Sequence, residues 1–180
     1  MNQAVFLDRD GTLIEEKGYL CRPEDLVLLP AAGAALKQLQ DAGFKLFIVS
    51  NQSGVGRGYF TLADLDKVNQ QFLQEFGRHE VRFERIYSAP EAPEAASRGR
   101  KPSPQFLFDA RDEFGLDLAR SYMIGDKLSD LECGWNAGVK QCLLVRTGYG
   151  AELERNSAGK LRSAKVVNDM AEAAEWIIGR

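Results

Sequence analysis

The run Val5-Phe6-Leu7-Asp8-Arg9-Asp10-Gly11-Thr12 lies near the start of the chain and joins three apolar residues to two aspartates. The apolar part is typical of a buried strand, which would deliver Asp8 to the carboxyl edge of a sheet. Two carboxylates this close repel each other, and Mg²⁺, a hard cation that prefers oxygen ligands, would relieve the repulsion. With that cation present, Asp8 could approach a phosphate and attack its phosphorus atom. Taken alone, the same residues could also form an ordinary acidic loop.

Short apolar runs alternate with segments of helical periodicity along the rest of the chain. The predicted strands are Ala4–Asp8, Lys45–Ser50, Arg85–Ser88, Ser121–Gly125, Gln141–Val145 and a short sixth at Lys165–Val167. The predicted helices are Ala31–Ala42, Leu62–Phe76, Pro104–Phe114, Asp130–Ala137 and Met170–Ile178. Left-handed C-terminal caps are expected at the glycines that follow four of these segments, namely Gly43, Gly77, Gly115 and Gly138. The alternation predicts an α/β fold, a Rossmann-like three-layer sandwich with a central parallel sheet that binds ligands beyond the carboxyl ends of its strands.

The composition is that of a soluble globular protein with one domain spanning residues 1–180. The net charge of −3 favours neither a nucleic-acid nor a membrane partner. No apolar run approaches the ~20 residues needed to cross a bilayer, and the first residues do not resemble a secretory signal. Cys21, Cys133 and Cys142 are odd in number and widely spaced, which favours reduced thiols over disulfides. We therefore expect a cytoplasmic protein whose partner is a small molecule.

A second predicted strand ends in hydroxyl and amide groups at Ser50 and Asn51, which could hydrogen-bond to phosphoryl oxygens. Three glycines follow within the run 54–58 and invite comparison with a dinucleotide-binding turn. Tyr59 stands where the third glycine of that motif is required, and this is not the first strand–helix turn of the chain. The dinucleotide hypothesis therefore fails.

Two further segments carry charged groups suited to phosphoryl transfer. Lys101, between Arg100 and Pro102, could supply a fixed positive charge, although the basic residues beside it could equally form a solvated surface. Another predicted strand ends at Asp126, which would complete a metal site. Asp130 follows four residues later and could cap the next helix or hold the waters of the metal.

In this order, D-R-D-G-T, S-N, K-P and G-D-x-x-x-D resemble the motifs of the haloacid dehalogenase superfamily, over roughly residues 5–148. The resemblance implies a fold of haloacid dehalogenase type and a magnesium-dependent phosphatase. By that resemblance Asp8 attacks phosphorus and forms an aspartyl-phosphate, while Asp10 protonates the leaving oxygen and then activates water. Ser50 and Lys101 would hold the phosphoryl oxygens.

The resemblance also implies a metal site and an open cavity. Mg²⁺ would be held by the Asp8 side chain, the Asp10 carbonyl and Asp126. The stretch from Asp10 to Ser50 holds only a loop and one helix, so we expect no cap domain. Specificity would then come from loops near Glu15–Tyr19, 54–58 and 88–100.

Within the superfamily, the sequence is most similar to the D-glycero-D-manno-heptose 1,7-bisphosphate phosphatases. The similarity lies in Lys-Gly-Tyr after Glu16, in Asn-Gln-Ser-Gly-Val-Gly-Arg-Gly from residue 51, and in the segments 121–130 and 144–148. The substrate contacts implied are Glu16, Lys17, Gly18, Tyr19, Asn51, Gln52, Ser53, Arg100 and Lys127. The guanidinium of Arg100 could recognise the phosphate that is not removed.

The chain departs from that family in one loop. The family usually carries a zinc site there, and the corresponding positions read Ser88, Pro90, Ser97 and Gly99. We therefore expect no zinc, and a loop that is mobile until substrate binds or that packs on the domain through Tyr87. The single histidine, His79, lies outside this loop and is interpreted as a surface or turn residue.

Three alternatives remain beside a monomeric phosphatase that removes the 7-phosphate of the heptose bisphosphate. Histidinol-phosphate phosphatases share the same motifs, although the glycine-rich run 54–58 and Lys127 favour the heptose. A non-catalytic binding module would require the loss of a catalytic acid, and all of them are present. A 3′-phosphatase of nucleic-acid ends is disfavoured by the acidic balance.

Overall fold

The computed structural model describes residues 2–180, and its centre is one parallel sheet of six strands. The strands are β1 (Ala4–Leu7), β2 (Lys45–Asn51), β3 (Arg85–Ala89), β4 (Tyr122–Gly125), β5 (Gln141–Val145) and β6 (Lys165–Val167). Their order is β3-β2-β1-β4-β5-β6, so β1 lies between β2 and β4 and the order of the strands reverses beside it. Such a reversal opens a crevice at the carboxyl ends of the strands. All six predicted strands are confirmed to within one residue at each end.

Helices cover both faces of the sheet, as predicted for a three-layer sandwich. They are α1 (Ala32–Asp41), α2 (Leu62–Gly77), α3 (Gln105–Phe114), α4 (Leu128–Ala137), α5 (Gly150–Ser157) and α6 (Met170–Ile178). Helices α1, α2 and α6 pack on one face, where β1 contributes Val5 and Leu7. Helices α3 and α4 pack on the other face, where β1 contributes Ala4 and Phe6. The alternation of side chains along a strand thus supplies both cores from the same apolar run.

Two sequence-based expectations for the helices are wrong. Gly77 does not cap α2, because the helix runs through it and continues into right-handed backbone at Arg78. The residue with a left-handed backbone there is Glu80, at φ 59°. Helix α5 was not predicted, because its eight residues are mostly polar and carry one large apolar side chain, Leu153, that packs on the sheet. The other three glycines have φ between 62° and 91°, as expected for left-handed caps: Gly43, Gly115 and Gly138.

The chain between β1 and β2 is short and carries no inserted domain within the described residues. It contains a tight turn after Asp10, a single turn of 3₁₀ helix at Pro23–Asp25, and α1. Between β1 and β2, only loops therefore border the carboxyl edge of the sheet above β1. None of the helices in residues 2–180 is both long and apolar enough to cross a membrane.

Candidate active site

A cavity of about 510 Å³ opens at the carboxyl edge of the sheet, above β1, β2 and β4. It is lined by nearly all of the residues that the sequence marked for function, from Asp8 at its floor to Arg100 at its margin. Among the predicted site residues, Lys17 and Asp126 do not line it. Gly54, from the loop 54–58 that was expected to contribute to specificity, also lines it, and Ser129 and Tyr149 line it without having been predicted.

Three buried carboxylates form the floor of this cavity: two of them line it, and the third, Asp126, is fully buried beside them. Asp8 directly follows β1, Asp126 directly follows β4, and Asp130 lies in the first turn of α4. One oxygen atom from each lies within 4.8 Å of the others, and within residues 2–180 no second group of three acidic, histidine or cysteine side chains is arranged in this way. The Asp130 Oδ2 atom also accepts a hydrogen bond from the Lys127 amide at 2.9 Å, as the capping hypothesis predicted.

Two glycines allow the backbone to close over Asp126. A Cβ atom on either Gly11 or Gly148 would come within 2.2 Å of Asp126 Oδ2, so no other residue fits without displacing the carboxylate. That oxygen accepts a hydrogen bond from the Tyr149 amide at 2.9 Å, whereas the buried Oδ1 has no hydrogen-bond partner within the described chain. An orphaned, buried carboxylate oxygen beside two further carboxylates fits a hard divalent cation.

The electrostatics of the carboxylates point the same way. Burial, together with the charges of Asp8 and Asp130, raises the pKa of Asp126 to about 8. Burial also raises the pKa of Asp130, more than the neighbouring Lys101 lowers it. Keeping all three groups ionised near neutral pH therefore needs added positive charge, which a bound cation supplies.

Lys101 supplies part of that charge. Its ammonium nitrogen lies 2.7 Å from Asp8 Oδ1, 2.7 Å from Asp130 Oδ1 and 2.6 Å from the Val49 carbonyl oxygen. Although burial lowers the pKa of Lys101, the charges of Asp130 and Asp8 outweigh it and hold the pKa above the ordinary value. Burial raises the pKa of Asp8, but the charges of Lys101 and then Lys127 outweigh it, so this pKa lies below the usual range. Asp8 is therefore an ionised carboxylate, the form that a nucleophile requires.

The sequence predicted that the Asn51 side chain would bond to a phosphoryl oxygen. In the structure this side chain bonds to the backbone of Lys101. Its amide nitrogen donates to the Lys101 carbonyl at 3.1 Å, and its amide oxygen accepts from the Lys101 amide at 2.9 Å. Both ends of the side chain are therefore occupied in fixing the backbone of Lys101. Asn51 also lines the cavity, so it both fixes the backbone of Lys101 and keeps a second amide proton for an oxygen in the cavity.

Asp10 lies beside Asp8 and is held by two neighbours. The guanidinium of Arg9 donates to Asp10 Oδ2 at 2.9 Å and to Oδ1 at 3.3 Å. The amide of Gln52 donates both to Asp10 Oδ2 at 3.0 Å and to Ser50 Oγ at 2.7 Å. Because Ser50 accepts from Gln52, its own hydroxyl proton is free to point at a phosphoryl oxygen. Arg9 is 1% exposed, and nothing in the sequence indicates its role beyond its place between two aspartates.

The rim of the cavity is built by loops on both sides. Glu16 accepts hydrogen bonds from the Gly18 amide and from the Lys127 ammonium, each at 2.8 Å. The same ammonium lies 4.9 Å from the centre of the Tyr149 ring, a cation–π arrangement. Tyr19 makes an edge contact with Tyr59 at 4.7 Å between ring centres.

Lys17 is the predicted contact that the structure does not bring to the cavity. Its ammonium donates to the Asp25 carbonyl at 2.7 Å. Tyr149 is the neighbouring residue that sequence reasoning missed. It directly follows the segment 144–148 that resembles the heptose phosphatases, so its adjacency to that motif was the available signal.

Comparison with known proteins shows which family the chain resembles. A family model described as HAD-hydrolase-like matches residues 99–173. The D-glycero-beta-D-manno-heptose-1,7-bisphosphate 7-phosphatase of Haemophilus ducreyi is 36% identical over 97% of this chain and 98% of its own length. The Helicobacter pylori (strain ATCC 700392 / 26695) enzyme of the same name is 42% identical over 80% of this chain and 84% of its own.

The chain belongs to this phosphatase family, within the haloacid dehalogenase superfamily. It is accordingly a phosphoric monoester hydrolase. A crystal structure of the D,D-heptose 1,7-bisphosphate phosphatase from B. bronchiseptica, complexed with magnesium and phosphate, superposes with a TM-score of 0.91 at 28% identity, covering 98% of both chains. The fold of the family, with its parallel sheet and uncapped edge, is therefore the fold described above.

Proposed function

We propose that this phosphatase hydrolyses the 7-phosphate of D-glycero-D-manno-heptose 1,7-bisphosphate through an aspartyl-phosphate on Asp8. The observation that carries the chemistry is the ionised Asp8 carboxylate, held 2.7 Å from Lys101 at the floor of the cavity. The names of the full-length relatives support the heptose substrate. Arg100 at the cavity margin supports recognition of a second phosphate.

The first chemical step joins an Asp8 carboxylate oxygen to phosphorus and breaks the bond between phosphorus and the sugar oxygen. Asp10 gives its proton to that leaving oxygen as the bond breaks. Lys101 and the free proton of Ser50 stabilise the charge on the phosphoryl oxygens. Gln52 holds Ser50 and Asp10 in fixed positions relative to each other, because its side-chain amide nitrogen donates a hydrogen bond to both.

The second step returns Asp8 to its starting form. Asp10, now a carboxylate, takes a proton from water as the water oxygen bonds to phosphorus and the aspartyl oxygen leaves. Inorganic phosphate then departs through the open mouth of the cavity. Arg9 holds the Asp10 carboxylate through both steps, since its guanidinium bonds to both of the carboxylate oxygens.

Mg²⁺ is the cofactor that the floor residues fit. Asp8, the Asp10 carbonyl and Asp126 would hold it, with Asp130 close enough to hold either the ion or its waters. When bound, the ion neutralises charge between the nucleophile and the phosphoryl oxygens and so lowers their repulsion. The magnesium and phosphate in the B. bronchiseptica structure support this choice of metal.

We propose that no zinc is required, because the four positions Ser88, Pro90, Ser97 and Gly99 offer no thiolate or imidazole. Elemental analysis of the purified protein should find well below one zinc per chain, and a zinc-selective chelator should leave activity unchanged. About one tightly bound zinc per chain would contradict the assignment of this loop.

We further propose that the enzyme acts as a cytoplasmic monomer on small phosphorylated sugars, without nucleic-acid or membrane partners.

The substrate is tested by comparing kcat/KM for heptose 1,7-bisphosphate with kcat/KM for histidinol phosphate. We expect the bisphosphate to be preferred by at least roughly 10-fold, because Arg100 has a second phosphate to bind in only one of them. Phosphate release measured under identical magnesium concentrations is the readout. A higher kcat/KM for histidinol phosphate would replace the heptose assignment and leave the phosphatase mechanism intact.

A further inference from the structure

The loop between β3 and α3 contains a closed ring of hydrogen bonds that involves Arg100. The Ser97 hydroxyl donates to Glu91 Oε2 at 2.7 Å and accepts from the Arg100 amide at 3.2 Å. The Arg100 guanidinium in turn donates to the Glu91 carbonyl oxygen at 3.3 Å. We call these three residues, Glu91, Ser97 and Arg100, the Glu91 clasp. It ties both the backbone and the side chain of Arg100 to the far end of its own loop.

The ends of this loop are fixed to the rest of the fold. The Gly56 amide donates to the Pro90 carbonyl at 2.8 Å, and a Cβ atom on Gly56 would come within 2.3 Å of the Ala92 nitrogen. At the other end, Gly99 is buried against Phe106, where an added Cβ would lie 2.3 Å from the ring. The clasp therefore lies between the two ends of the loop, which are both fixed to the fold, and it can hold Arg100 at a defined position relative to them.

The pattern of partners leaves the Arg100 guanidinium available to an anion. The Glu91 carboxylate bonds to Ser97 and makes no ion pair with Arg100 within the described residues. The Nε and Nη2 groups of Arg100 have no protein hydrogen-bond partner among residues 2–180, and the side chain lines the cavity that contains Asp8. One nitrogen is thus used for orientation and the remaining donors are free to bind an anion in the cavity, which suits a planar fork that binds phosphate.

We infer that Glu91 and Ser97 are positioning residues that set Arg100 for the phosphate that the enzyme does not remove. The inference rests on the proposed function, since it needs a substrate with two phosphates. A free arginine side chain loses rotamer freedom when it binds, and restraining it beforehand lowers that entropic cost. Loss of the clasp should therefore weaken binding of a bisphosphate and leave the chemistry at Asp8 unchanged.

The test compares Ser97→Ala with wild type on heptose 1,7-bisphosphate and on p-nitrophenyl phosphate, which has no second phosphate. We expect KM for the bisphosphate to rise roughly 10-fold with kcat within about 2-fold, because the restraint acts on binding. The kcat/KM for p-nitrophenyl phosphate should stay within about 2-fold. Glu91→Gln, which keeps an acceptor for Ser97, should behave almost like wild type, whereas Glu91→Ala should behave like Ser97→Ala.

Arg98→Gln is the matched control. Arg98 belongs to the same loop and pairs with Asp109 on α3, but its side chain makes no hydrogen bond with the three residues of the clasp among residues 2–180. Arg98→Gln should loosen the loop about as much as Ser97→Ala does, which would be seen as a similar shift in melting temperature. It should not cause the selective rise in KM for the bisphosphate. A clasp that merely stabilised the loop would make Arg98→Gln and Ser97→Ala kinetically alike, and that result would overturn the inference.

A double-mutant cycle separates the clasp from the proposed substrate. On an Arg100→Ala background, Ser97→Ala should change KM for the bisphosphate by less than about 2-fold, because Ser97 acts only through Arg100. If the effects of Ser97→Ala and Arg100→Ala on KM for the bisphosphate are additive, the positioning role of the clasp is wrong, while the role of Arg100 itself stands. If Arg100→Ala itself affects bisphosphate and monophosphate equally, the second-phosphate role fails, and the proposed substrate recognition and the clasp fall together.

Discussion

The floor and the rim of the cavity are built in opposite ways. The floor consists of Asp8, Asp126, Asp130 and Lys101, each no more than 4% exposed. The rim contains Tyr19 and Tyr149, which are 46% and 47% exposed, with Arg100 and Lys127 beside them. Floor residues follow β1 and β4 or begin α4, whereas rim residues lie on the loops between elements. The floor is therefore as rigid as the sheet, and the rim depends on side-chain contacts such as the Glu91 clasp.

This difference separates two tasks of a phosphatase. The floor holds buried like charges close together beside Lys101, which gives a strongly polarised site suited to any phosphate monoester. The rim decides which alcohol and which further groups enter the site with that phosphate. We therefore expect floor substitutions to affect every substrate equally, and rim substitutions to affect substrates according to the groups that they carry.

Asp8→Asn should have the largest effect of any single substitution. An amide neither attacks phosphorus nor contributes negative charge to a magnesium site, so we expect kcat to fall by at least ~10⁴ on every substrate. The fold should survive, because Asn is nearly isosteric and its backbone amide still bonds to the Ile124 carbonyl. Steady-state phosphate release, with a circular-dichroism check on the variant, is the measurement. Near-normal turnover that still depends on magnesium would remove Asp8 from the mechanism.

Arg100→Ala should show the opposite pattern. Losing a charged hydrogen-bonding partner should lower kcat/KM for heptose 1,7-bisphosphate by roughly 10–100-fold, almost entirely through KM. The kcat/KM for p-nitrophenyl phosphate should change by less than about 3-fold, because this substrate has nothing for Arg100 to bind. Parallel kinetics on the two substrates provide the test. Equal losses on both would show that Arg100 belongs functionally to the floor.

The smallest predicted effect is the change in the stability of the protein with pH, which arises from a carboxylate of the floor. Because the pKa of Asp126 is raised to about 8, the folded, metal-free protein binds more protons here than the unfolded chain does between about pH 4 and 8. The contribution of Asp126 to stability therefore falls as the pH rises through that window. Thermal unfolding in a chelator should show this decline, and added Mg²⁺ should raise the melting temperature more at about pH 8.5 than at about pH 6.

Asp126→Asn is the matched control for that measurement. It removes the buried charge, so the metal-free variant should be more stable than wild type by about 1–3 kcal/mol above pH 8. It should also lose most of the stabilisation by Mg²⁺. A Mg²⁺ response that persists unchanged in Asp126→Asn would mean that the ion binds elsewhere.

The floor could be predicted from the sequence because its signals are local. An apolar run of the right length ends in an aspartate at β1 and again at β4, and parallel strands bring such ends to one edge. These local signals predict Asp8 and Asp126. Lys101 and Asp130 do not end strands, and only the order of the four motifs, which resembles the superfamily, favours a role for them at the site. For Asp130 the sequence left two roles open, capping α4 or holding the waters of the metal, and the structure places it both against the Lys127 amide and beside the other two carboxylates.

The rim could be predicted only in part, because its contacts depend on how loops fold back. Lys17 lies in a suitable motif but turns toward the Asp25 carbonyl, and Asn51 is occupied by the backbone of Lys101. Tyr149 reaches the cavity because it directly precedes α5. This helix has no clear apolar stripe, so the sequence did not predict it. The sequence offered two alternatives for the loop from 88 to 100, mobility until substrate binds or packing on the domain through Tyr87. Tyr87 stacks on the same Phe106 ring that covers Gly99, which agrees with the second alternative, and the loop also carries the clasp.

The central claim is that Asp8 carries the phosphoryl group, and a trapped phosphoenzyme tests it most directly. In Asp10→Asn the base that activates water is missing, whereas p-nitrophenyl phosphate has a leaving group that needs no proton. Acid-quenched, single-turnover reactions of this variant should therefore accumulate a protein with one added phosphoryl group, and peptide mass spectrometry should place it on Asp8. Release of p-nitrophenolate without any phosphorylated peptide, or a phosphoryl group on another residue, would contradict the account.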